Sequence, residues 1–262
     1  MNANTSARKR PDLLPDAQVK KGVVRSIQGR PRFLKVGGIT PFTATDYPGQ
    51  LSTVIFVQGC PWRCGYCHNP HLQERTPHSP IAWDDTLNLL QRRQGLIDAV
   101  VFSGGEPTMD PGLIHAMQET RALGFKIGLH SGGTHPERLK SVLPYTDWVG
   151  FDVKALFADY ARITQVQGSG TSALNSLQAI LASGVDYECR TTLHSSLLPE
   201  NEILQLAHTL VNLGVKRYAL QVFREQGCSN EALNTSMEAG YPSRATVDQI
   251  AAMFPDFVLR RS

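Results

Sequence analysis

No run of eighteen apolar residues occurs in this 262-residue chain, so a membrane-spanning helix is not expected. The first residues lack the apolar core of a secretory leader. Arg8, Lys9 and Arg10 beside Ser6 faintly suggest a transit peptide, but Asp12 and Asp16 interrupt it. Cysteine is scarce, with five residues, and three of them are clustered. A disulfide framework is therefore not in prospect, and a reducing, cytoplasmic setting is expected. No period of 20–50 residues repeats strongly enough for a solenoid. Nor does one charge sign dominate: 26 Lys and Arg stand against 23 Asp and Glu, a net charge of +3. That balance hides a gradient. Residues 1–32 carry eight basic and two acidic residues (+6), which leaves 18 basic and 21 acidic (−3) for the rest.

The arm formed by residues 1–32 contains Pro11, Pro15 and Pro31 and few large apolar residues, so it is expected to be flexible. It lacks the aromatic interleaving that stacks bases, and nucleic acid is not expected as a partner. Residues 33–262 are expected to form the folded domain. A hydrophobic content of 41% and a charged content of 19% over the whole chain suit a globular protein with a full core.

What is present is concentrated in Gly59-Cys60-Pro61-Trp62-Arg63-Cys64-Gly65-Tyr66-Cys67-His68-Asn69-Pro70. Three cysteines spaced C-x3-C-x2-C follow directly on the β-like run Val54-Ile55-Phe56-Val57. The spacing puts three thiols on one short loop at the exit of a buried strand. Thiolates suit zinc and iron–sulfur clusters. Structural zinc takes four ligands in two knuckles, and no second C-x2-C exists here. Only Cys189 and Cys228 remain, both isolated. Three thiols without a fourth point to a four-iron cluster with one free iron. A zinc loop completed by His68 or His71 is the competing reading.

The rest of the chain alternates strand and helix. Phe33–Val36 and Ile39–Phe42 around Gly37-Gly38 read as a short hairpin. Strands are expected at 51–58, 97–102, 125–129, 148–153, 185–193, 215–222 and, at the end, 257–259. Helices are expected at 84–94, from Asp110-Pro111 to Gly124, at 136–142, 172–183, 200–213 and 244–254, with Gly124, Gly184 and Gly214 as stops. That is an α/β pattern of about six units with parallel strands and right-handed crossovers. Six units cannot close an eight-stranded barrel, so a curved partial (β/α)6 barrel is expected.

In such folds ligands bind at the carboxyl ends of the strands. There this chain places the three cysteines, then Ser103-Gly104-Gly105-Glu106-Pro107-Thr108, His130-Ser131-Gly132-Gly133, Asp152 and Lys154, Arg190 to Thr192, and Gln221 with Arg224. Gly104-Gly105 lets backbone approach a ligand, and equally suits a plain tight turn. His130 reads as a positioned polar residue. Cys189 reads as an inert buried thiol, and Cys228 has no role assigned.

The cysteine spacing, with Tyr66 before the last cysteine, resembles the radical S-adenosylmethionine (SAM) superfamily. The flanks Asp46-Tyr47-Pro48-Gly49 and Tyr66-Cys67-His68-Asn69-Pro70 look like its glycyl-radical activating enzymes, nearest to the anaerobic ribonucleoside-triphosphate reductase activating proteins. The resemblance covers roughly residues 33–260. It implies a 4Fe–4S cluster on Cys60, Cys64 and Cys67, with SAM chelated by the fourth iron. It implies cofactor contacts by Tyr66, by Gly104, Gly105 and Glu106, by Asp152 and Lys154, and by Arg190 toward the SAM carboxylate. Asp152 and Lys154 also suit a surface ion pair, and Arg190 a core-rim salt bridge.

This chain departs from the activating enzymes at His130-Ser131-Gly132-Gly133, where those often carry Asp-Thr-Asn-Gly. Ser131 can still reach a ribose hydroxyl, and Phe223 is the candidate to pack adenine. The loop at Asp46 could orient SAM or hold a monovalent cation, or be a simple Pro-Gly turn. The resemblance further implies that the chain reductively cleaves SAM and generates a glycyl radical on its protein substrate, an anaerobic ribonucleoside-triphosphate reductase. With two spare cysteines a second cluster is not expected, so electrons come from an external donor such as flavodoxin or ferredoxin. Activation of a pyruvate formate-lyase-type enzyme, action on a small molecule, and a zinc-stabilised nucleic-acid-binding module are the alternatives.

Overall fold

The computed structural model describes residues 33–261 apart from Met237. The arm expected at residues 1–32 lies outside the described residues. Eight strands form one sheet in chain order: β1 (Val36–Thr43), β2 (Ser52–Val57), β3 (Ala99–Gly104), β4 (Lys126–Ser131), β5 (Trp148–Asp152), β6 (Asp186–Leu193), β7 (Arg217–Val222) and β8 (Asp256–Arg260). β2 to β8 pair in parallel, and β1 pairs antiparallel with β2. The helices are α1 (Trp83–Gln91), α2 (Leu113–Ala122), α3 (Pro136–Val142), α4 (Tyr160–Thr164), α5 (Ser169–Ser183), α6 (Glu200–Asn212), α7 (Glu231–Asn234) and α8 (Arg244–Ala251). The partial parallel barrel expected from the alternation is therefore present, with the extra strand β1 at one edge.

Period-two alternation sorts each strand between two environments. Ile55, Val57, Val100, Phe102, Val149, Phe151 and Cys189 join the main core with Leu177, Ile180, Ile203 and Leu206 of the helices. The alternate residues Val54, Ala99, Val101 and Trp148 form a smaller inner cluster with Tyr47, and Phe56 packs against it. The same inner face carries the polar residues higher up each strand. Parallel register carries this across the sheet: Asp152 stands opposite Arg190, and Thr192 opposite Gln221.

Three local expectations change. The hairpin around Gly37-Gly38 is one strand, Val36–Thr43, because its edge finds a longer partner in β2. α2 starts at Leu113, and the Oδ1 of Asp110 instead accepts from the N–H of Gly112 in the preceding turn. α5 begins three residues earlier than expected, at Ser169. The stops after α2, α5 and α6 are as expected: Gly124, Gly184 and Gly214 have φ of 94°, 76° and 89°, a region glycine enters freely. Cys189 is fully buried, as its strand position implied. No helix among the described residues is long and apolar enough to cross a membrane.

Candidate active site

The cysteine loop is fixed from its first residues. Beyond β2, the N–H groups of Gly59 and Cys60 donate to the carbonyls of Leu72 and Gln73 (2.7 and 3.0 Å). Gln58, buried, donates its amide to the carbonyls of Glu74 and His71. The loop's middle is held by α4, whose Thr164 carbonyl accepts from the N–H of Arg63 at 2.9 Å. Its last turn closes on itself, Cys67 N–H to the Cys64 carbonyl at 3.1 Å.

Cys60, Cys64 and Cys67 are free thiols, partly buried, and all three line one cavity of about 550 Å³. Burial pushes the Cys60 thiol up to about 12, with the Glu106 carboxylate adding to it. Burial raises Cys64 as well, opposed by Lys154. Such thiols stay protonated until an electropositive centre displaces the protons, as metal binding does. Among the described residues, no three His, Cys, Asp or Glu side chains converge as a single ion would require. A four-iron cluster spreads its thiolates over separate irons, so this arrangement fits a cluster better than a zinc ion. The candidate fourth zinc ligands are also engaged elsewhere or exposed. His68 has Nε2 3.0 Å from the Arg224 carbonyl and stacks on Phe223, and His71 is exposed.

Gly104-Gly105 lies against the base of the cysteine loop. Gly105 N–H donates to the Val57 carbonyl and Glu106 N–H to the Gly59 carbonyl (2.9 and 2.8 Å). A Cβ on Gly105 would sit 2.2 Å from the Gly59 carbonyl oxygen. Gly104 has φ of 117°, and its Cβ would sit 2.4 Å from the Val57 nitrogen. The close approach that these glycines permit is thus of one backbone to another, as well as of backbone to cavity. Glu106 is buried and ties the next strand end in place. It accepts from Thr108 N–H and Oγ1, from Ser131 Oγ, and from Gly132 N–H at 3.0 Å. Ser131 itself is buried, donates to Glu106 and accepts from Gly133 N–H. Its hydroxyl is therefore committed to the loop, while Ser131 still lines the cavity.

Across the cavity, Asp152 faces two cations. Arg190 donates Nε and Nη2 to Asp152 Oδ1 (3.1 and 2.8 Å), and Lys154 Nζ lies 3.6 Å from Oδ2. Burial works to raise the Asp152 pKa, but Arg190 and Lys154 outweigh it and hold the carboxylate below its usual range. Lys154 reaches the ring of Tyr66 at 5.5 Å. Burial works to lower the Lys154 pKa, yet Tyr66 and Asp152 keep it well above the ordinary lysine value. The Tyr160 hydroxyl accepts from Lys154 N–H and donates to the Asp152 carbonyl, which fixes the spacing of this pair.

Arg190 has an unexpected setting. Nη2 also donates to the Gly150 carbonyl and Nη1 lies 3.1 Å from His130 Nε2, so the Nε–Nη2 edge of the guanidinium is committed to Asp152 and is not a free fork for a carboxylate. Gly150 makes the room, since a Cβ there would meet Arg190 Cζ at 2.7 Å. His130 also lies 2.8 Å from the Asp46 carbonyl and 3.2 Å from Ser103 Oγ. Burial, with Arg190 adding to it, pushes its pKa down to about 4, so the ring is neutral near pH 7. Asp46 lines the cavity and accepts from Thr43 Oγ1 at 2.7 Å. Phe223 is buried between His68 and His194, which sets its ring to packing rather than to adenine. Thr192, Gln221 and Arg224 line the far wall. Trp62 and Tyr160, not singled out from the sequence, meet edge to face at 5.8 Å and close the floor beside Gly132.

The fold and cavity define an α/β partial-barrel enzyme with a thiol-lined cofactor site at the carboxyl ends of its strands. The profile of the radical SAM superfamily matches residues 54–210. A Methanocaldococcus jannaschii protein named as a glycyl-radical enzyme activating enzyme is 30% identical over 204 residues, 75% of this chain and 82% of that protein. The pyruvate formate-lyase-activating enzyme of Clostridium pasteurianum is 29% identical over 210 residues, 76% of this chain and 87% of its own. Among solved structures, Streptococcus suis SuiB bound to its precursor peptide SuiA shares the fold, with a TM-score of 0.60 at 15% identity. That match spans 79% of this chain and 48%, about half, of SuiB. The chain belongs to the radical SAM superfamily, in its glycyl-radical activating branch. It is a radical SAM enzyme, and its cofactors are those of the family, a 4Fe–4S cluster and SAM.

Proposed function

We propose that this enzyme installs a glycyl radical on an anaerobic ribonucleoside-triphosphate reductase, with Cys60, Cys64 and Cys67 as the cluster ligands. The observation that carries the site assignment is that all three thiols face one cavity with Gly104, Gly105, Asp152 and Lys154. When bound, the reduced cluster and SAM supply one-electron cleavage of the sulfonium C–S bond and a carbon radical that takes hydrogen from a glycine Cα. The protein's part is placement and exclusion of water. Gly104-Gly105 presents open backbone beside Cys60. Lys154, kept charged, would meet the carboxylate end of SAM, and ionised Asp152 would accept from its amino group. Arg190 acts through Asp152, holding it in place. Tyr66 and Trp62, both buried and lining the cavity, would shield the thiols from water. Glu106 holds the Ser131 loop that bounds the SAM site.

The flanks of the cysteine motif favour the reductase as target. A pyruvate formate-lyase-type target is the second reading, favoured by the Clostridium relative. The donor of electrons is read as a separate protein such as flavodoxin or ferredoxin, since the two remaining cysteines, Cys189 in the core and Cys228 against the loop, cannot by themselves hold a second four-iron cluster.

Protein reconstituted without oxygen, then given dithionite and SAM, is expected to release 5′-deoxyadenosine. Adding each candidate glycyl-radical enzyme is expected to give a glycine-centred EPR doublet with the reductase alone. A Cys64→Ala variant should lose the cluster and both signals. Continued SAM cleavage by that variant would refute the ligand set, and a doublet on pyruvate formate-lyase alone would move the target.

A further inference from the structure

The second half of the cysteine loop has an anchor that the first half does not share. After β7, residues 223–234 run back over the loop as a strap. One end is bolted to β6 through His194, which is fully buried. Its Nδ1 accepts from Ser196 N–H at 3.1 Å, so Nε2 carries the proton and donates to the Leu233 carbonyl at 2.9 Å. Phe223 packs edge-on against the same ring. The strap then reaches the loop through residues more than 150 positions away in sequence. Gly227, at φ of 90°, fits against the His68 carbonyl, where a Cβ would come to 2.6 Å. Asn230 reaches furthest in. Its Nδ2 donates to the Gly65 carbonyl at 3.3 Å, and its Oδ1 accepts from Leu233 N–H at 3.4 Å as the N-cap of α7. Asn230 N–H points to Cys228 Sγ at 3.5 Å, and that thiol lies 3.8 Å from the same Gly65 carbonyl.

Gly65 and Tyr66 separate Cys64 from Cys67, and the Gly65 carbonyl is the acceptor in that interval that the strap holds. The loop also needs holding there. A second, open cavity lies on its outer side, lined by Cys64, Gly65, Cys67 and Asn230 among others. Residues 64 and 67 thus border open space on this side as well as the cavity on the other.

We infer that Asn230 is a positioning residue for the cluster: by tying the Gly65 carbonyl to the start of α7, it sets Cys64 and Cys67 on a loop that is open on its outer side. This rests on the reading that those cysteines hold the cluster. An asparagine suits the task because one side chain must donate to Gly65 and accept from Leu233 at once.

The test uses the full-length reconstituted protein. Asn230→Asp keeps the size and the capping acceptor, but loses the donor and sets a carboxylate against the Gly65 carbonyl. Asn234→Ala removes a different bond of the same strap, Asn234 Nδ2 to the Cys228 carbonyl, and leaves Gly65 untouched. Iron and sulfide per chain are measured, then the rate at which the cluster's visible absorbance decays under excess chelator without oxygen. Asn230→Asp is expected to lose its cluster about tenfold faster than wild type, with Asn234→Ala within about twofold of wild type. Equal decay in Asn230→Asp and wild type overturns the inference, as does equally fast decay in Asn234→Ala. Failure of the wild type to take up iron and sulfide would instead sink the underlying ligand assignment.

Discussion

Arg190 places two of its nitrogens on one oxygen of Asp152, Oδ1, and leaves Oδ2 to Lys154 and the cavity. The two residues sit opposite each other in the β5–β6 register, so the pair is set by the sheet itself. Asp152 is thereby oriented as well as kept ionised, with one oxygen spent on Arg190 and the other facing Lys154.

Replacing Arg190 by Lys keeps the charge but not the fork, because an ammonium cannot reach Asp152 Oδ1 twice and His130 once. SAM affinity is expected to fall roughly tenfold, about 1.4 kcal/mol. Calorimetric titration of SAM into the reconstituted variant checks this. An unchanged Kd would mean that Asp152 does not organise the SAM end of the cavity.

His130 makes stability depend on pH. Its folded pKa, pushed down to about 4, lies below the ordinary value of 6.5. Between these values the unfolded chain binds a proton that the native chain refuses. Stability is therefore fully present above about pH 6.5 and is lost as pH falls toward 4, by on the order of 3 kcal/mol across that window. Denaturant unfolding at stepped pH should show the slope in wild type and a much flatter one in His130→Gln. Parallel slopes in the two proteins would contradict the burial assigned to this ring.

Gly105→Ala puts a methyl 2.2 Å from the Gly59 carbonyl oxygen and 3.0 Å from that of Leu72. Both obstacles are backbone, so the cysteine loop has to shift. A loss of about 1–3 kcal/mol in stability is expected, together with less iron retained per chain after reconstitution. Gly184→Ala is a suitable control, since nothing lies within 4 Å of its Cβ, though its φ of 76° carries its own strain. Full iron content in Gly105→Ala would show that the loop can move without disturbing its thiols.

Much of this protein was legible in its sequence, for a physical reason. Parallel strands buried on both faces read as short apolar runs, such as Val54 to Val57 and Ala99 to Phe102, and helix-stopping glycines mark the way back to each. Chemistry at strand ends follows from that order. What the sequence did not carry was the choice of partner. Ser131 and Arg190 look like ligand-binding residues by type and position, yet the serine hydroxyl serves Glu106 and the guanidinium is shared by Asp152 and His130. A side chain's type states what it can bond, and only the fold states what it meets first. The five-residue helix α4 was missed because so short an element leaves no periodicity, although its Thr164 carbonyl steadies Arg63. The strap was missed too, but Asn230 before Glu231-Ala-Leu carries an N-cap signature that could have located α7.

Strand order that follows chain order also divides the molecule's two rims by tolerance to alteration. The returns through Gly124, Gly184 and Gly214 lead into the amino ends of their strands, opposite the rim that carries the cysteine loop, and a Cβ added at any of them would meet nothing within 4 Å. New termini from circular permutation, an affinity handle or a fluorescent reporter belong at those three corners, where splicing leaves the chemistry-bearing rim as it is.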